Sequence, residues 1–141
     1  MAVLIQQTVE ECVNASPVLV QVDRHTLYKR RWRAKAGDGT ELAVNLDAPV
    51  DDGTLLSSED GTIYQIEQTK EDVIVVPLPG TTEMAAKLGW YLGNQHLPVE
   101  VRSDCIIIEH VKTLVAALDR IGIPYTLRND VFHCKMHSHQ H

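Results

Sequence analysis

No apolar run in this chain approaches the roughly 20 residues that a bilayer span requires, so no membrane helix is expected. The first residues, "MAVLIQQTVEE", have neither the basic lead nor the long apolar stretch of a secretion signal. Positive charge is short: 13 Lys and Arg against 19 Asp and Glu leave a formal net charge of −6. That balance argues against a nucleic-acid binder, which usually presents a basic face. Cysteine is scarce, and Cys12, Cys105 and Cys134 form an odd, irregularly spaced set. They read as reduced thiols of a cytoplasmic protein, not as a disulfide framework. There is no glycine-rich phosphate loop and no Gly-x-Ser-x-Gly elbow. The adjacent carboxylates Asp51 and Asp52 sit in a turn without partners. Nothing locates an active site, and an enzyme is not expected.

The 141 residues suffice for one ordinary domain or two small ones. Hydrophobic residues make up 44% of the chain, enough for a core. A domain of about 60–75 residues is marginal alone, which makes help from a partner subunit reasonable. From Val18 to about Val76, short apolar runs ("VLVQV", "ELAVNL", "TIYQIEQ", "VIVV") alternate with Gly37-Asp38-Gly39, Asp51-Asp52-Gly53 and Glu59-Asp60-Gly61. Asp-Gly pairs supply the positive φ of tight turns. This half is therefore predicted to be a stack of antiparallel hairpins with no helix, and the residues around Val9 to be an edge strand or a short turn. "VPLPG", Val76 to Gly80, reads as a hinge.

Beyond it, Thr81 or Thr82 caps a helix through "TTEMAAKLGWYLG", with Gly93 as its stop. "LPVEV" and "CIII" give two strands. A second helix over "EHVKTLVAALDRIG" places Val111, Leu114, Val115, Leu118 and Ile121 on one face and ends at Gly122. "IPYTLR" is a last strand. The order βαββαβ is the ferredoxin-like plan. The expected fold is α+β: an N-terminal antiparallel β-domain for partners or peptides (residues 1–75), a ferredoxin-like metal-binding and dimerisation domain (76–131), and a flexible His-rich metal-binding tail (132–141).

Chemistry concentrates at the C-terminus. Four of the seven histidines, His133, His137, His139 and His141, fall in the last nine residues with Cys134. Neutral imidazole suits nickel, zinc and copper, and His-x-His spacing lets adjacent rings meet one ion in an extended chain. The alternatives are a purification remnant or a solvated tail without a role, but the segment is not a run of identical histidines and includes a thiol. Ligands that load and unload readily fit a carrier better than a catalyst. His96, after the first helix, is by itself a cap or a surface group. It becomes a ligand if two subunits bring two copies together across a two-fold axis, with Gly93 and Asn94 allowing the chain to reverse and Pro98 stiffening the exit. His110, opening the second helix at the edge of its apolar face, is either a polar end residue or a supporting ligand. Cys105 belongs to a core strand, and His25 to the surface. "RHTLYKRRWRAK", Arg24 to Lys35, holds six of the thirteen Lys and Arg together with His25. It is either a solvated strand face or a dock for an acidic protein partner.

With "YLGNQHLPVEV", a ferredoxin-like half around it and a histidine-rich end, the chain resembles the UreE family of urease accessory proteins. "VDRHTLYKRRWRAKAGDGTELAVNLDAPVDDGTLLSSEDG" also looks like that family's N-terminal β-domain, so the resemblance spans nearly the whole chain. Its most specific part is "LGNQH", where the family typically has Leu-Gly-Asn-Arg-His. The resemblance implies a cytoplasmic, homodimeric nickel metallochaperone that serves the apo-urease activation complex together with an accessory GTPase. It implies that His96 binds the metal jointly with His96 of a second subunit, with His139 or His141 as further ligands. The N-terminal domain of the family is similar to a peptide-binding domain of chaperones. Gln95 departs from the family arginine, and Ile108 stands where many members have the first histidine of a His-x-His pair that ends at His110. Nickel is then cargo, for which Zn²⁺ and Cu²⁺ compete, since nitrogen ligands do not prefer nickel over copper. Imidazole binds metal only when neutral, so affinity should fall as the pH drops through about 6.5. The rival readings are a protein-interaction module with incidental metal binding, a general Ni/Zn/Cu sequestration protein, and a zinc hydrolase. The last needs three fixed ligands and an open water position, for which a mobile tail is a poor scaffold.

Overall fold

A computed structural model describes residues 2–11 and 16–134. The chain forms two compact units, Met1–Thr69 and Lys70–His141. In the first unit, six strands make one sheet: β1 (Val3–Val9), β2 (Val18–Val22), β3 (Arg31–Lys35), β4 (Glu41–Asn45), β5 (Leu55–Ser58) and β6 (Ile63–Gln68). The order is β2-β6-β5-β1-β4-β3. Two of the Asp-Gly turns close hairpins as expected, β3 with β4 and β5 with β6, both antiparallel. The second residues of the three pairs, Gly39, Gly53 and Gly61, have φ of 89°, 85° and 88°, which a side chain would strain.

The expectation of a purely antiparallel domain is corrected, because β1 pairs with β4 and β2 with β6 in parallel. The Asp51-Asp52-Gly53 turn does not join paired strands, since β1 lies between β4 and β5. Instead the Gly53 N–H donates to the Ile66 carbonyl at 2.8 Å and the Asp52 carboxylate accepts from Gln68 N–H at 2.8 Å. β1 is thus a central strand, not an edge. Only Ile5 is fully buried along it, with polar Gln6 and Gln7 around the register shift between Ile5 and Gln7, so period-2 patterning is faint. A helical turn, α1 (Arg24–Leu27), also interrupts this half: the Asp23 carboxylate caps it by accepting from Thr26 N–H at 2.7 Å. The core gathers Ile5, Val20, Leu42, Leu56 and Ile66, all at most 1% exposed.

The second unit runs β7 (Glu71–Pro77), α2 (Thr82–Gly93), β8 (Val99–Val101), β9 (Cys105–Glu109), α3 (Lys112–Ile121) and β10 (Thr126–Asp130). This is β-α-β-β-α-β with sheet order β10-β7-β9-β8, antiparallel throughout. The division falls after Thr69, not at 75/76. β7 already belongs to this unit, so Pro77 to Gly80 links β7 to α2 and is not a hinge between domains. Thr81 caps α2 by accepting from Met84 N–H at 3.2 Å, and Gly122, at φ 78°, ends α3. One sheet face packs Ile74, Val76, Ile106 and Ile108 against Leu88, Leu92, Leu114 and Leu118 of the helices. The other clusters Val73, Val75, Cys105 and Ile107 with Phe132. Burial on both faces is why "VIVV" and "CIII" are continuous apolar runs with no alternation.

Candidate metal centre

α2 ends in a turn of three successive hydrogen bonds: Asn94 N–H to Trp90 O at 3.0 Å, Gln95 N–H to Leu92 O at 3.1 Å and His96 N–H to Gly93 O at 3.2 Å. The residue in the left-handed region is not Gly93, which is the last residue of the helix, but His96 at φ 60°. His96 is the one non-glycine residue with positive φ among the described residues. Histidine is among the few side-chain-bearing types enriched in that region. The turn leaves His96 exposed. Gln95 folds back, its Nε2 donating to the Tyr91 carbonyl at 3.2 Å. It satisfies a carbonyl that the helix end leaves open without adding a charge there. On α2 itself Trp90 is 72% exposed, an unusual position for so large an apolar surface.

His110 is not on α3. It lies between β9 and α3, whose N-cap is Val111, and its N–H donates to the Asp72 carbonyl at 3.4 Å. It borders a surface cleft of 320 Å³ with Asp72, Leu127, Arg128 and Asn129. Antiparallel pairing matches Val99 with Ile108, so the segments carrying His96 and His110 leave the same end of the β8–β9 pair. Ile108, at the position of the missing first histidine, is 1% exposed within the core.

The tail does not begin at Phe132. That side chain is fully buried in the second-face cluster, with Cys134 packed partly against it. The His133 N–H donates to Glu100 Oε1 at 2.8 Å, and Arg102 Nη2 donates to the Val131 carbonyl at 3.2 Å. Arg102 also pairs with Glu100 at 2.8 Å and with Asp130 at 3.4 Å. Burial pushes the Glu100 carboxyl up, but hydrogen bonds from Arg102 and the His133 N–H outweigh it and hold Glu100 below the usual carboxylate range. The His133 ring is exposed. The sequence reading missed Glu100, Arg102 and Phe132; the Glu-x-Arg spacing, which puts both side chains on one face of an extended strand, was the available signal. His137, His139, His141 and Cys12 lie outside the described residues.

Among the described residues, no three His, Cys, Asp or Glu side chains converge on a metal-sized site. His96 stands among them as a single exposed imidazole. Cys105 is buried, and burial, with Asp104 beside it, pushes its thiol up; a protonated core thiol is a poor ligand. His25 is exposed and stacks edge-on against Tyr28 with ring centroids 6.0 Å apart.

In the first unit, Lys29, Arg30, Arg31, Arg33 and Lys35 are all exposed, whereas Arg24 is 3% exposed and donates to the Tyr28 hydroxyl at 2.7 Å. Arg31 and Arg33 flank a shallow depression of 310 Å³ with Leu4, Ala43 and Asn45.

A family model described as the UreE urease accessory protein, C-terminal domain, matches residues 71–141. Curated proteins named "Urease accessory protein UreE" are also similar. The one from Corynebacterium efficiens is 32% identical over 108 residues, 74% of this chain and 72% of that protein. The one from Staphylococcus carnosus is 29% identical over 126 residues, 85% and 83% of the two chains. The one from Azorhizobium caulinodans is 29% identical over 105 residues, 73% of this chain and 50% of that protein, so the match spans half the length of that relative.

Proposed function

The chain belongs to the UreE family of urease accessory proteins, and from that premise we propose that it is a homodimeric nickel metallochaperone delivering Ni²⁺ to apo-urease. UreE proteins are accessory proteins, not enzymes, and the chemistry to be explained is capture and release of an ion. The observation that carries the reading is His96: an exposed imidazole on a backbone turn that disfavours side chains. A residue kept in a sparsely populated conformation points to function when its surroundings hold it there.

Two subunits meeting at the α2 ends bring two His96 rings to one ion, and the exposed Trp90 supplies apolar surface of the kind that anchors interfaces. Residues 133–141 capture the ion first through His133, Cys134, His137, His139 and His141. His139 or His141 then completes the shared site, and His110, at the same end of β8–β9, is a supporting ligand. The ion passes to an accessory GTPase partner docked on the exposed cations of β3. Zn²⁺ and Cu²⁺ compete for the same nitrogens. No helix among the described residues is long and apolar enough to cross a membrane.

Nickel titration calorimetry on His96→Ala tests the reading. The tightest site should vanish while the fold persists; a variant that retains it overturns the assignment.

A further inference from the structure

The bonding of α2 changes over its last turn. In a continuing α-helix the Gln95 N–H would donate to the Tyr91 carbonyl, four residues back. Asn94 still donates four back, to Trp90 O at 3.0 Å, but Gln95 and His96 donate three back, to Leu92 O at 3.1 Å and Gly93 O at 3.2 Å. The Tyr91 carbonyl is thereby passed over by the backbone, and the Gln95 side chain takes it instead, Nε2 to O at 3.2 Å. One residue thus serves two carbonyls, Leu92 with its main-chain N–H and Tyr91 with its amide. The tightened turn leads directly into His96 at φ 60°, whereas Asn94 is still right-handed at φ −71°.

We propose that the Gln95 side-chain amide is the positioning group for His96. By standing in for the displaced backbone N–H it holds the tightened turn, and with it the left-handed backbone that sets the direction of the imidazole. The proposal rests on the reading of His96 as a metal ligand.

The magnitudes are matched. A left-handed backbone is disfavoured about five- to thirtyfold for a residue with a side chain, so neighbouring bonds must hold His96 there. One net hydrogen bond shifts such an equilibrium about two- to tenfold, the same order as the opposing strain. Without the amide, a measurable fraction of His96 turns right-handed, its Cβ leaves the backbone in another direction, and the apparent affinity falls with the fraction still competent. Gln95 also does this without charge. A cationic donor would cap the same carbonyl while repelling a divalent ion beside it. Gln95 is only half-buried, so replacing it takes little from the core.

Nickel titration calorimetry at about 0.5 M salt, which screens added charge, compares the full chain with Gln95→Leu, which has no donor, and Gln95→Arg, which regains one. Gln95→Leu should weaken the tightest site about two- to tenfold, and Gln95→Arg should stay within about twofold of the parent. In a His96→Ala background Gln95→Leu should change nothing. In NMR spectra of the metal-free proteins, the strong cross-peak between the amide and α protons of His96 that marks positive φ should fade in Gln95→Leu and return in Gln95→Arg. An unchanged cross-peak or an unchanged nickel site in Gln95→Leu overturns the proposal. So does a Gln95→Arg protein as weak as Gln95→Leu, or equal weakening with and without His96. If His96→Ala alone spares the tightest site, the metal-ligand reading fails and takes the proposal with it, an outcome set apart because Gln95 is unchanged in that variant. Thermal melts check folding, and should Gln95→Leu not fold, Gln95→Ala replaces it with the same expectations.

Discussion

At His96 the backbone and the side chain pull in opposite directions. Holding a side-chain-bearing residue at φ 60° costs about 1–2 kcal/mol relative to the right-handed region, and glycine would remove most of that cost. Glycine also gains freedom in the unfolded chain, worth about 0.5–1 kcal/mol, so the net gain is smaller than the strain. His96→Gly is therefore expected to stabilise the second unit by up to about 1 kcal/mol while abolishing the tight nickel site. For a unit of this size that is a rise of several degrees in Tm, measurable by calorimetry. A lower Tm would show that the imidazole itself stabilises the turn. "LGNQH" singled out His96 as a candidate ligand, but it did not show the turn that His96 occupies. A glycine before a polar pair reads as the helix stop, and the sequence carries no mark that the left-handed position had moved three residues on, to a histidine.

The elements most legible in the sequence were those whose ends are set by local chemistry: α2 by the Thr81 cap, α3 by Gly122, and the β3–β4 and β5–β6 hairpins by Asp-Gly. The strap after β10 was not, because a single Phe132 among polar residues makes no periodicity, and its burial depends on partners at positions 73, 75, 105 and 107. Phe132→Ala should cost about 3–5 kcal/mol, the range for a fully buried phenylalanine, as read from urea unfolding; a loss under 1 kcal/mol would place the ring at the surface. Carboxylates do comparable work at element ends. Backbone N–H groups of Thr26 and Val131 lower Asp23 and Asp130, the Ser58 hydroxyl lowers Asp60, and Arg102 and the His133 N–H lower Glu100 against the upward push of burial. A carboxyl held lower in the folded state than in the unfolded state stabilises the fold above its unfolded value. That stability is lost as the pH falls through about 4 towards the folded values. Unfolding free energy should therefore be flat from pH 7 to about 5 and drop below 4. Asp23→Asn retains the cap, since asparagine serves there nearly as well, but no longer titrates. It should match the parent at pH 7 and lose less on acidification, and an identical acid limb in both proteins would remove Asp23 from the account.

For the whole molecule, the parallel pairings β1–β4 and β2–β6 mark the limit of reading from the sequence. Turn residues specify neighbours along the chain, whereas these pairs join strands far apart in it, chosen by the collective burial of Ile5, Val20, Leu42 and Ile66. The same long-range assembly makes β3 a sheet edge with Arg31, Arg33 and Lys35 on its exposed side. A chain of net charge −6 thus carries all six Lys and Arg of its first unit within Arg24 to Lys35, whereas the proposed metal ligands lie in the second. Arg31 Nε donates to Asn45 Oδ1 at 3.2 Å, and Lys35 is in register with Glu41 in the β3–β4 ladder. Arg31 and Arg33 border one depression with the apolar Leu4, and this is the part of the surface proposed to receive an acidic segment of a partner. Because the residues proposed for loading and for docking lie in different units, the two functions should separate on mutation. Arg31→Glu/Arg33→Glu should leave nickel affinity within twofold of the parent while lowering activation of apo-urease, reconstituted with its accessory proteins, by tenfold or more. Exposed charges at an interface act mainly through long-range attraction that salt screens. Raising the ionic strength from 0.05 to 0.5 M should accordingly depress the parent and leave the variant nearly unchanged. Parallel losses of nickel binding and activation would instead mean that the two units act as one, and that the cations serve the metal site and not a partner.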